Sequence, residues 1–119
     1  MKKNQSIAHD LQVMRERAGL RQLDCGHLLG ISESRVSHFE TGVSLPHARH
    51  LLALSIIYEK PLEVLVAGLL DEVLDDLLER LRTLPPVSDD LFKASGRAST
   101  LSGLAKKLEV LTSMKYGAE

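Results

Sequence analysis

Residues Gln22 to Glu40 read Q-L-D-C-G-H-L-L-G-I-S-E-S-R-V-S-H-F-E, and this stretch decides the fold. Two short helical patterns meet in it at Gly30. Ser32 stands where the second helix begins, and its hydroxyl is able to accept a hydrogen bond from a first-turn amide. The apolar residues on both sides of the glycine are spaced to meet in one small core: Cys25, Leu29, Ile31, Val36 and Phe39. The stretch therefore predicts two helices that pack across a tight turn.

The opposite face of the second helix carries small, polar, hydrogen-bonding side chains: Glu33, Ser34, Ser37 and His38. A helix with such a face beside a tight turn suits the major groove of duplex DNA, because base edges there offer distinguishable patterns of donors and acceptors. The sequence therefore predicts a helix-turn-helix motif whose second helix, about Ser32 to Glu40, contacts base pairs.

Length and composition favour an all-α protein. The chain has 119 residues, of which 44% are hydrophobic and 3% aromatic. Leucine recurs at three- and four-residue intervals over most of the length, which indicates helices and leaves little strand signal. One cysteine excludes an intramolecular disulfide, and no apolar run approaches a membrane span or follows a signal-peptide layout. We therefore expect a reduced, cytoplasmic protein with no membrane contact.

The charge is unevenly distributed along the chain. The net charge is -1 with neutral histidines, so a general basic excess for nonspecific nucleic-acid binding is lacking. Residues 1–60 hold eight Lys and Arg against six Asp and Glu, together with all five His, whereas residues 61–119 hold seven against ten. A DNA-facing surface is therefore expected in the first half.

Further helices flank the central stretch. A first helix is predicted from about His9 to Ala18, with Gly19 as its stop. The loop after Glu40 ends at Pro46, which is well placed to open a fourth helix that runs to about Tyr58. Four side chains of that helix are predicted to point inward: Leu51, Leu52, Leu54 and Ile57. A fifth element begins at Pro61 with Leu62 and Leu65.

These residues carry a family resemblance. The order L11-x-x-M-R15-x-x-x-G19-L20-x-Q22, then L29-G30-I31-S32-E33-S34-R35-V36-S37-H38-F39-E40-x-G42, then P46 and L62-x-x-L65 resembles the phage-repressor helix-turn-helix family, also called the Cro/repressor or xenobiotic-response-element family. The resemblance covers about residues 9 to 67 and implies a five-helix DNA-binding domain. Many positions agree in order, whereas the glycine turn alone would be a weak signal.

The resemblance implies roles for individual residues. Base edges would be reached from Glu33, Ser34 and His38, with Ser37 at the margin of that face. Phosphates would be held by Gln22, which matches the family's phosphate-binding glutamine. The polar and basic residues around the recognition helix are predicted as further phosphate contacts: Arg21, Arg35, Ser44 and Arg49. Arg15 and Glu40 match a charged pair that ties the first helix to the end of the recognition helix. The alternative for this pair is two independent surface charges, which would contribute little to stability.

The sequence also departs from the family's pattern. Gly26 replaces the usual small alanine inside the second helix, at a cost of about 1 kcal/mol in helix propensity. Leu23 and Leu28 occupy positions that are usually charged, so either an apolar partner covers them or they are two lone exposed leucines. Glu59 stands where a helix-ending glycine is customary. Glu33 replaces an amide or base, which would repel phosphate but could accept from cytosine N4.

The region from about residue 68 to 119 is predicted to be a helical extension. A broad apolar stripe runs from Leu69 to Leu84 opposite an acidic face, and Pro85-Pro86 ends it. A short element capped by Ser88 and a linker at residues 97–100 precede a last helix whose leucines recur at 3-4-3 spacing. We predict that these helices form a homodimer through Leu70, Val73, Leu77, Leu104, Leu108 and Leu111. The alternative is that they fold back onto the N-terminal core of the same chain.

The sequence offers little support for other chemistry. His47 and His50 are three apart on a helix and could share a metal face, with Cys25 and His27 as further ligands, but no complete ligand set appears. Mobile surface histidines near DNA phosphates explain the pair better. Cys25 lies on an inward face, which favours a small buried hydrophobe over a nucleophile. No metal, other cofactor or enzymatic activity is therefore predicted.

The sequence thus predicts a transcriptional regulator of prokaryotic or phage type that binds double-stranded DNA as a homodimer. Each recognition helix would enter a major groove of an inverted-repeat operator, and repression is the family's commoner mode. Two alternatives remain open. The chain could be an antitoxin that represses its own operon and binds a toxin through its C-terminal helices. It could also be a protein-interaction module that has lost DNA binding.

Overall fold

The computed structural model describes residues 7–85 and 91–115, and within them every regular element is a helix. The all-α prediction is confirmed. The helices are, in chain order, α1 Ala8–Arg17, α2 Gln22–Leu29, α3 Glu33–Thr41, α4 Ala48–Ile57, α5 Leu62–Leu65, α6 Ala67–Arg82 and α7 Leu91–Lys115. The chain divides into two compact units, Met1–Leu70 and Asp71–Glu119. The predicted boundary between residues 67 and 68 falls slightly earlier than this division.

The first unit contains one hydrophobic core, to which α1, α2, α3, α4 and α5 all contribute. Its buried members are Ile7, Leu11, Cys25, Val36, Phe39, Leu54, Tyr58 and Leu65. Leu29 and Ile31, both expected in this core, are partly buried against it. Burying a side chain of this size stabilises a fold by roughly 1.5–3 kcal/mol, so the shared core fixes α3 against α1 and α2.

The turn between α2 and α3 has the geometry that the sequence predicts. Gly30 has a φ of 74°, a left-handed conformation that glycine adopts without a side-chain penalty. The Ile31 amide donates to the Gly26 carbonyl at 2.9 Å, which closes the end of α2. Ser32 caps α3, because its Oγ accepts from the Arg35 amide at 3.1 Å. The orientation of α3 is therefore determined by the chain immediately before it.

Two predictions about α4 are wrong. Pro46 does not open the helix: it is buried before His47, the N-cap residue, and α4 begins at Ala48. Leu52 does not point inward either, since it is 58% exposed while His50, Leu54 and Tyr58 form the buried row. Most residues of α4 are apolar, so its sequence gives little contrast between the two faces.

The second residue after α4, Glu59, has a strained backbone. Glu59 has a φ of 55°, and among the described residues it is the one non-glycine in the left-handed region. This is the position where the family resemblance leads one to expect a helix-ending glycine. A side chain in that conformation costs roughly 1–2 kcal/mol, which the packing of Tyr58 and of α5 on either side must offset.

The second unit contains most of α6, together with α7. Leu74 on α6 and Leu108 on α7 are almost fully buried, at 3% and 1% exposure. The predicted linker at residues 97–100 is wrong, because α7 continues through it without interruption. The Arg97 guanidinium donates to the Pro85 carbonyl at 2.8 Å and so ties α7 to the segment after α6. Ser88, the predicted cap, lies outside the described residues.

Candidate nucleic-acid interface

Helix α3 presents a polar face to solvent and anchors the opposite face in the core. Val36 and Phe39 are 2% and 3% exposed. The side chains predicted to contact bases lie away from them: Glu33, Ser34 and His38 are exposed and Ser37 is half-buried. Because the buried pair is fixed, the outward side chains keep a constant position relative to the rest of the first unit. Such preorganisation is what base recognition by a helix requires.

A hydrogen-bonded network holds the C-terminal end of α3. Arg15 donates to both carboxylate oxygens of Glu40, from Nε to Oε2 at 2.7 Å and from Nη2 to Oε1 at 3.0 Å. The Arg15 Nη1 also donates to the Leu20 carbonyl at 2.8 Å. The Glu40 side chain is 4% exposed, and its hydrogen bond raises the pKa of Arg15. These are therefore not two independent surface charges but a buried, bidentate pair.

Gln22 joins this network from the first residue of α2. Its Nε2 donates to Glu40 Oε1 at 3.0 Å, and the side chain is half-buried. The hydrogen bond orients the side-chain amide at the N-terminal end of α2, where the phosphate contact is predicted. The remaining N–H and the amide oxygen are not engaged by this bond, so the side chain keeps hydrogen-bonding capacity for a ligand.

Arg21 forms a capping arrangement with Asp24 instead of extending freely. The Arg21 backbone amide donates to Asp24 Oδ2 at 2.8 Å, and its guanidinium pairs with Oδ1 at 2.7 Å. These bonds lower the pKa of Asp24 to about 2. The negative charge of Glu33 also acts on Arg21. The Arg21 cation thus lies near Glu33, the acid that would otherwise repel a phosphate.

The loop after α3 is tied back to that helix. The backbone amides of Val43 and Ser44 both donate hydrogen bonds to the His38 carbonyl oxygen, with N···O distances of 3.0 and 3.3 Å. Gly42 has a φ of 83°, which permits this tight reversal. Ser44, a predicted phosphate contact, is half-buried directly after it. The loop therefore carries Ser44 at a fixed distance from the end of α3.

Cationic side chains converge where α3 meets the start of α4. Arg35 on α3 and Arg49 on α4 are both exposed. The rings of His47 and His50 stack with centroids 3.9 Å apart, and the His50 ring lies 5.8 Å from that of Phe39. The N-terminal amides of α4 add a partial positive charge at this point. The combination favours anion binding, and Arg35 and Arg49, for which phosphate contacts are predicted, lie at this point.

Acidic, sulfur and imidazole side chains form no metal site within the residues that the structure describes. Among residues 7–85 and 91–115, no three His, Cys, Asp or Glu side chains are grouped as metal ligands would be. No described helix has both the length and the apolarity needed to cross a membrane.

A model of the helix-turn-helix domain family matches residues 6–65, half of the chain. The chain belongs to this family. A helix-turn-helix domain is a sequence-specific DNA-binding module, so this protein is a DNA-binding protein of the kind that regulates transcription. A search of curated proteins and a search of solved structures each found no match.

Sequence reasoning missed one part of the interface of this helix-turn-helix domain. The sequence predicts that His47 and His50 are mobile surface side chains, but His50 is only 9% exposed and stacks on its neighbour. Its burial follows from the spacing of His50, Leu54 and Tyr58, which places all three on one face of α4. That i, i+4, i+8 spacing is a signal that the sequence contains.

Proposed function

We propose that this protein is a Cro/repressor-type transcriptional repressor that binds an inverted-repeat operator as a homodimer. The observation that carries the proposal is the polar face of α3, on which Glu33, Ser34 and His38 are exposed, on a helix anchored by Ser32, Val36, Phe39 and Glu40. In this proposal α3 enters the major groove, and the two half-sites of the operator are about 34 Å apart.

The side chains around α3 divide into two groups by their chemistry. Ser34 and His38 are neutral hydrogen-bonding groups that suit base edges, and Glu33 suits a cytosine amino group. Gln22, Arg35 and Arg49 surround that face with an amide and two guanidiniums, which suit phosphate oxygens. In the proposal, the first group selects the sequence and the second positions the protein on the duplex.

The dimer proposal is supported best by α6. Val73 and Leu77 are 47% and 36% exposed in the single chain, and Leu70 on the same helix is 49% exposed. Exposed leucine and valine at helical spacing favour a partner surface. The burial of Leu108, with Leu104 and Leu111 half-buried, instead favours intrachain packing for these three residues of α7. We therefore base the proposed interface on Leu70, Val73 and Leu77.

The decisive experiment is selection of bound sequences from random duplex DNA, combined with a measurement of the protein's mass in solution. We expect a dimer that enriches an inverted repeat. Binding should weaken steeply as salt rises, because phosphate contacts release counterions. A folded protein that enriches no sequence would overturn the proposal. A monomer that enriches a single half-site would overturn only the dimer.

The exposed apolar side chains of α6 also fit a second candidate, an antitoxin that binds a toxin there and represses its own operon. Co-expression with the neighbouring gene distinguishes the two functions. A stable complex with that gene's product, which Val73→Ser weakens, would favour the antitoxin. Operator binding by the purified homodimer without any partner would favour the repressor.

A further inference from the structure

The His47 and His50 pair lies in a positive electrostatic environment. In the described part of the chain, the charged groups that act on His50 are His47, Arg35 and Arg49, all of them cationic or able to become so. The other neighbours are apolar: Phe39 of α3 packs against the ring, and α2 contributes Leu28 and Leu29 to the groove that His50 lines. No carboxylate from these elements compensates a proton on His50.

His50 is also short of a hydrogen-bond partner. The residue is nine-tenths buried, and its Nδ1 is fully buried with no partner among the described residues. Burial and the surrounding cations lower the pKa of His50 from its usual range. The imidazole is therefore neutral in the free protein near neutral pH. It lies in the first turn of α4, and the N-terminal end of a helix favours bound anions.

A bound phosphodiester would reverse this balance. In the proposed complex, Arg35, Arg49 and the first amides of α4 hold a DNA phosphate beside the stacked rings. Its negative charge would offset the two guanidiniums and favour the protonated form of both imidazoles. His47 is exposed and its side chain makes no capping hydrogen bond, so it is available to donate to the phosphate.

We propose that DNA binding by this protein is coupled to proton uptake by His47 and His50, so that its affinity for duplex DNA increases in mild acid. The inference rests on the proposed DNA-binding function and assigns it a pH response. The coupling belongs to the phosphate contacts, and it therefore applies to any duplex sequence.

The sign of the effect follows from linkage. A group that binds its proton more tightly in the complex than in the free protein strengthens the complex as pH falls. This gain in affinity disappears as pH rises through the pKa that the group has in the complex. For histidine the window lies between about pH 5 and about pH 8. Each proton taken up changes the affinity by at most about tenfold per pH unit.

The test measures affinity for a random-sequence duplex across this pH range at constant ionic strength, by fluorescence anisotropy. The wild-type protein should bind more tightly in acid, and the double variant His47→Asn, His50→Gln should lose most of that pH dependence. His47→Asn alone, which retains an N-cap residue, should lose part of it and does not disturb the buried position. Calorimetry in two buffers of different ionisation enthalpy should detect proton uptake on binding by the wild type.

Two single variants are the controls. His9→Gln on α1 and His27→Gln on α2 each change an exposed histidine that is not among the proposed DNA contacts, and both should keep the pH dependence on random DNA. Wild-type binding that does not vary with pH would overturn the inference while leaving the proposed function intact. An unchanged pH dependence in both the His47→Asn and the double variant would overturn it as well. Failure to bind any duplex at any pH would overturn the proposed function itself.

Discussion

At the scale of single residues, the side chain of Glu40 is held by several hydrogen bonds at once. It accepts two hydrogen bonds from Arg15 and one from Gln22 while it is almost completely buried. A buried carboxylate without these donors would be left uncompensated in a region that water does not reach. The network therefore contributes mainly by avoiding a large penalty, and it connects α1, α2 and α3 at one point.

The first prediction concerns Arg15. Arg15→Met should lower the free energy of unfolding by about 3–5 kcal/mol, because it leaves the Glu40 carboxylate buried and unpaired. Urea unfolding followed by circular dichroism measures the change. The double variant Arg15→Met, Glu40→Leu is the control, and it should recover a large part of the loss. A loss below about 1 kcal/mol, typical of surface pairs, would contradict the assignment.

At the scale of elements, the close contact between α2 and the turn explains Gly26. A Cβ on this residue would lie 2.8 Å from the Ile31 carbonyl oxygen and 3.3 Å from the carbonyl carbon and oxygen of Ser32, all backbone atoms. The sequence indicated only the propensity cost of a glycine inside a helix. The structure gives the reason for it, since α2 and the following turn approach too closely for a side chain.

The second prediction concerns this contact. Gly26→Ala should destabilise the first unit by about 1–3 kcal/mol, because the backbone must shift to make room, although alanine is the better helix former. Thermal unfolding measures the effect. Gly103→Ala is the matched control: it lies inside α7, where an added Cβ would meet nothing within 4 Å apart from the backbone of its own helix and its two chain neighbours, and it should stabilise its own unit by up to about 1 kcal/mol. Equal stabilisation by both changes would refute the close contact.

The third prediction separates the two roles proposed around α3. Ser34→Ala together with His38→Ala should reduce the preference for operator over random DNA by roughly 1–3 kcal/mol per lost base contact, with little change on random DNA. Gln22→Ala should weaken binding to both duplexes alike. Affinities for the two duplexes at one salt concentration provide the comparison.

Gln22 needs a control for folding, because the substitution also removes a hydrogen bond to Glu40. Gln22→Glu is not suitable, since it would place a second acid beside that carboxylate. The unfolding free energy of Gln22→Ala should therefore be measured first, and binding compared at a temperature where both proteins are fully folded. Equal losses on operator and random DNA for both sets of variants would show that the two roles are not separate.

At the scale of the whole molecule, the fourth prediction concerns the proposed dimer. Val73→Glu with Leu77→Glu should yield a folded monomer, because charges at an apolar interface remain unpaired. Operator affinity should then fall by about 100-fold or more, since the two recognition helices are no longer linked. Sedimentation and operator titration measure both effects. Val110→Glu on α7, at another exposed apolar residue, is the control and should leave the dimer intact.

Much of the first unit could be predicted from the sequence. The turn at Gly30, the Ser32 cap and the burial of Val36 and Phe39 follow from spacing and from the chemistry of capping. These features are local, so neighbouring residues alone determine them. The pairing of Arg15 with Glu40 joins distant positions, and only the family resemblance suggested it.

The errors arose where local preference and packing disagree. Leu52 could not be distinguished from Leu54, because apolar residues cover most of α4. The polar and small residues at 97–100 resembled a linker, but they contain no proline, and a helix continues through weak formers when its ends are already helical. The surface prediction for His50 is wrong because it follows from the polarity of histidine, whereas the position of the residue on the buried face of α4 determines its exposure.

The reactivity of Cys25 reports whether the core of the first unit is open or closed. It is the one cysteine in the chain, it is 1% exposed, and its Sγ lies 3.2 Å from the hydroxyl of the buried Tyr58. Burial also raises the pKa of its thiol, which leaves little of the reactive thiolate. A thiol reagent can therefore modify the chain only when the core of the DNA-binding unit opens. The labelling rate would report that opening directly, without any engineered probe, and its slowing by added duplex would measure how strongly the DNA holds the domain closed.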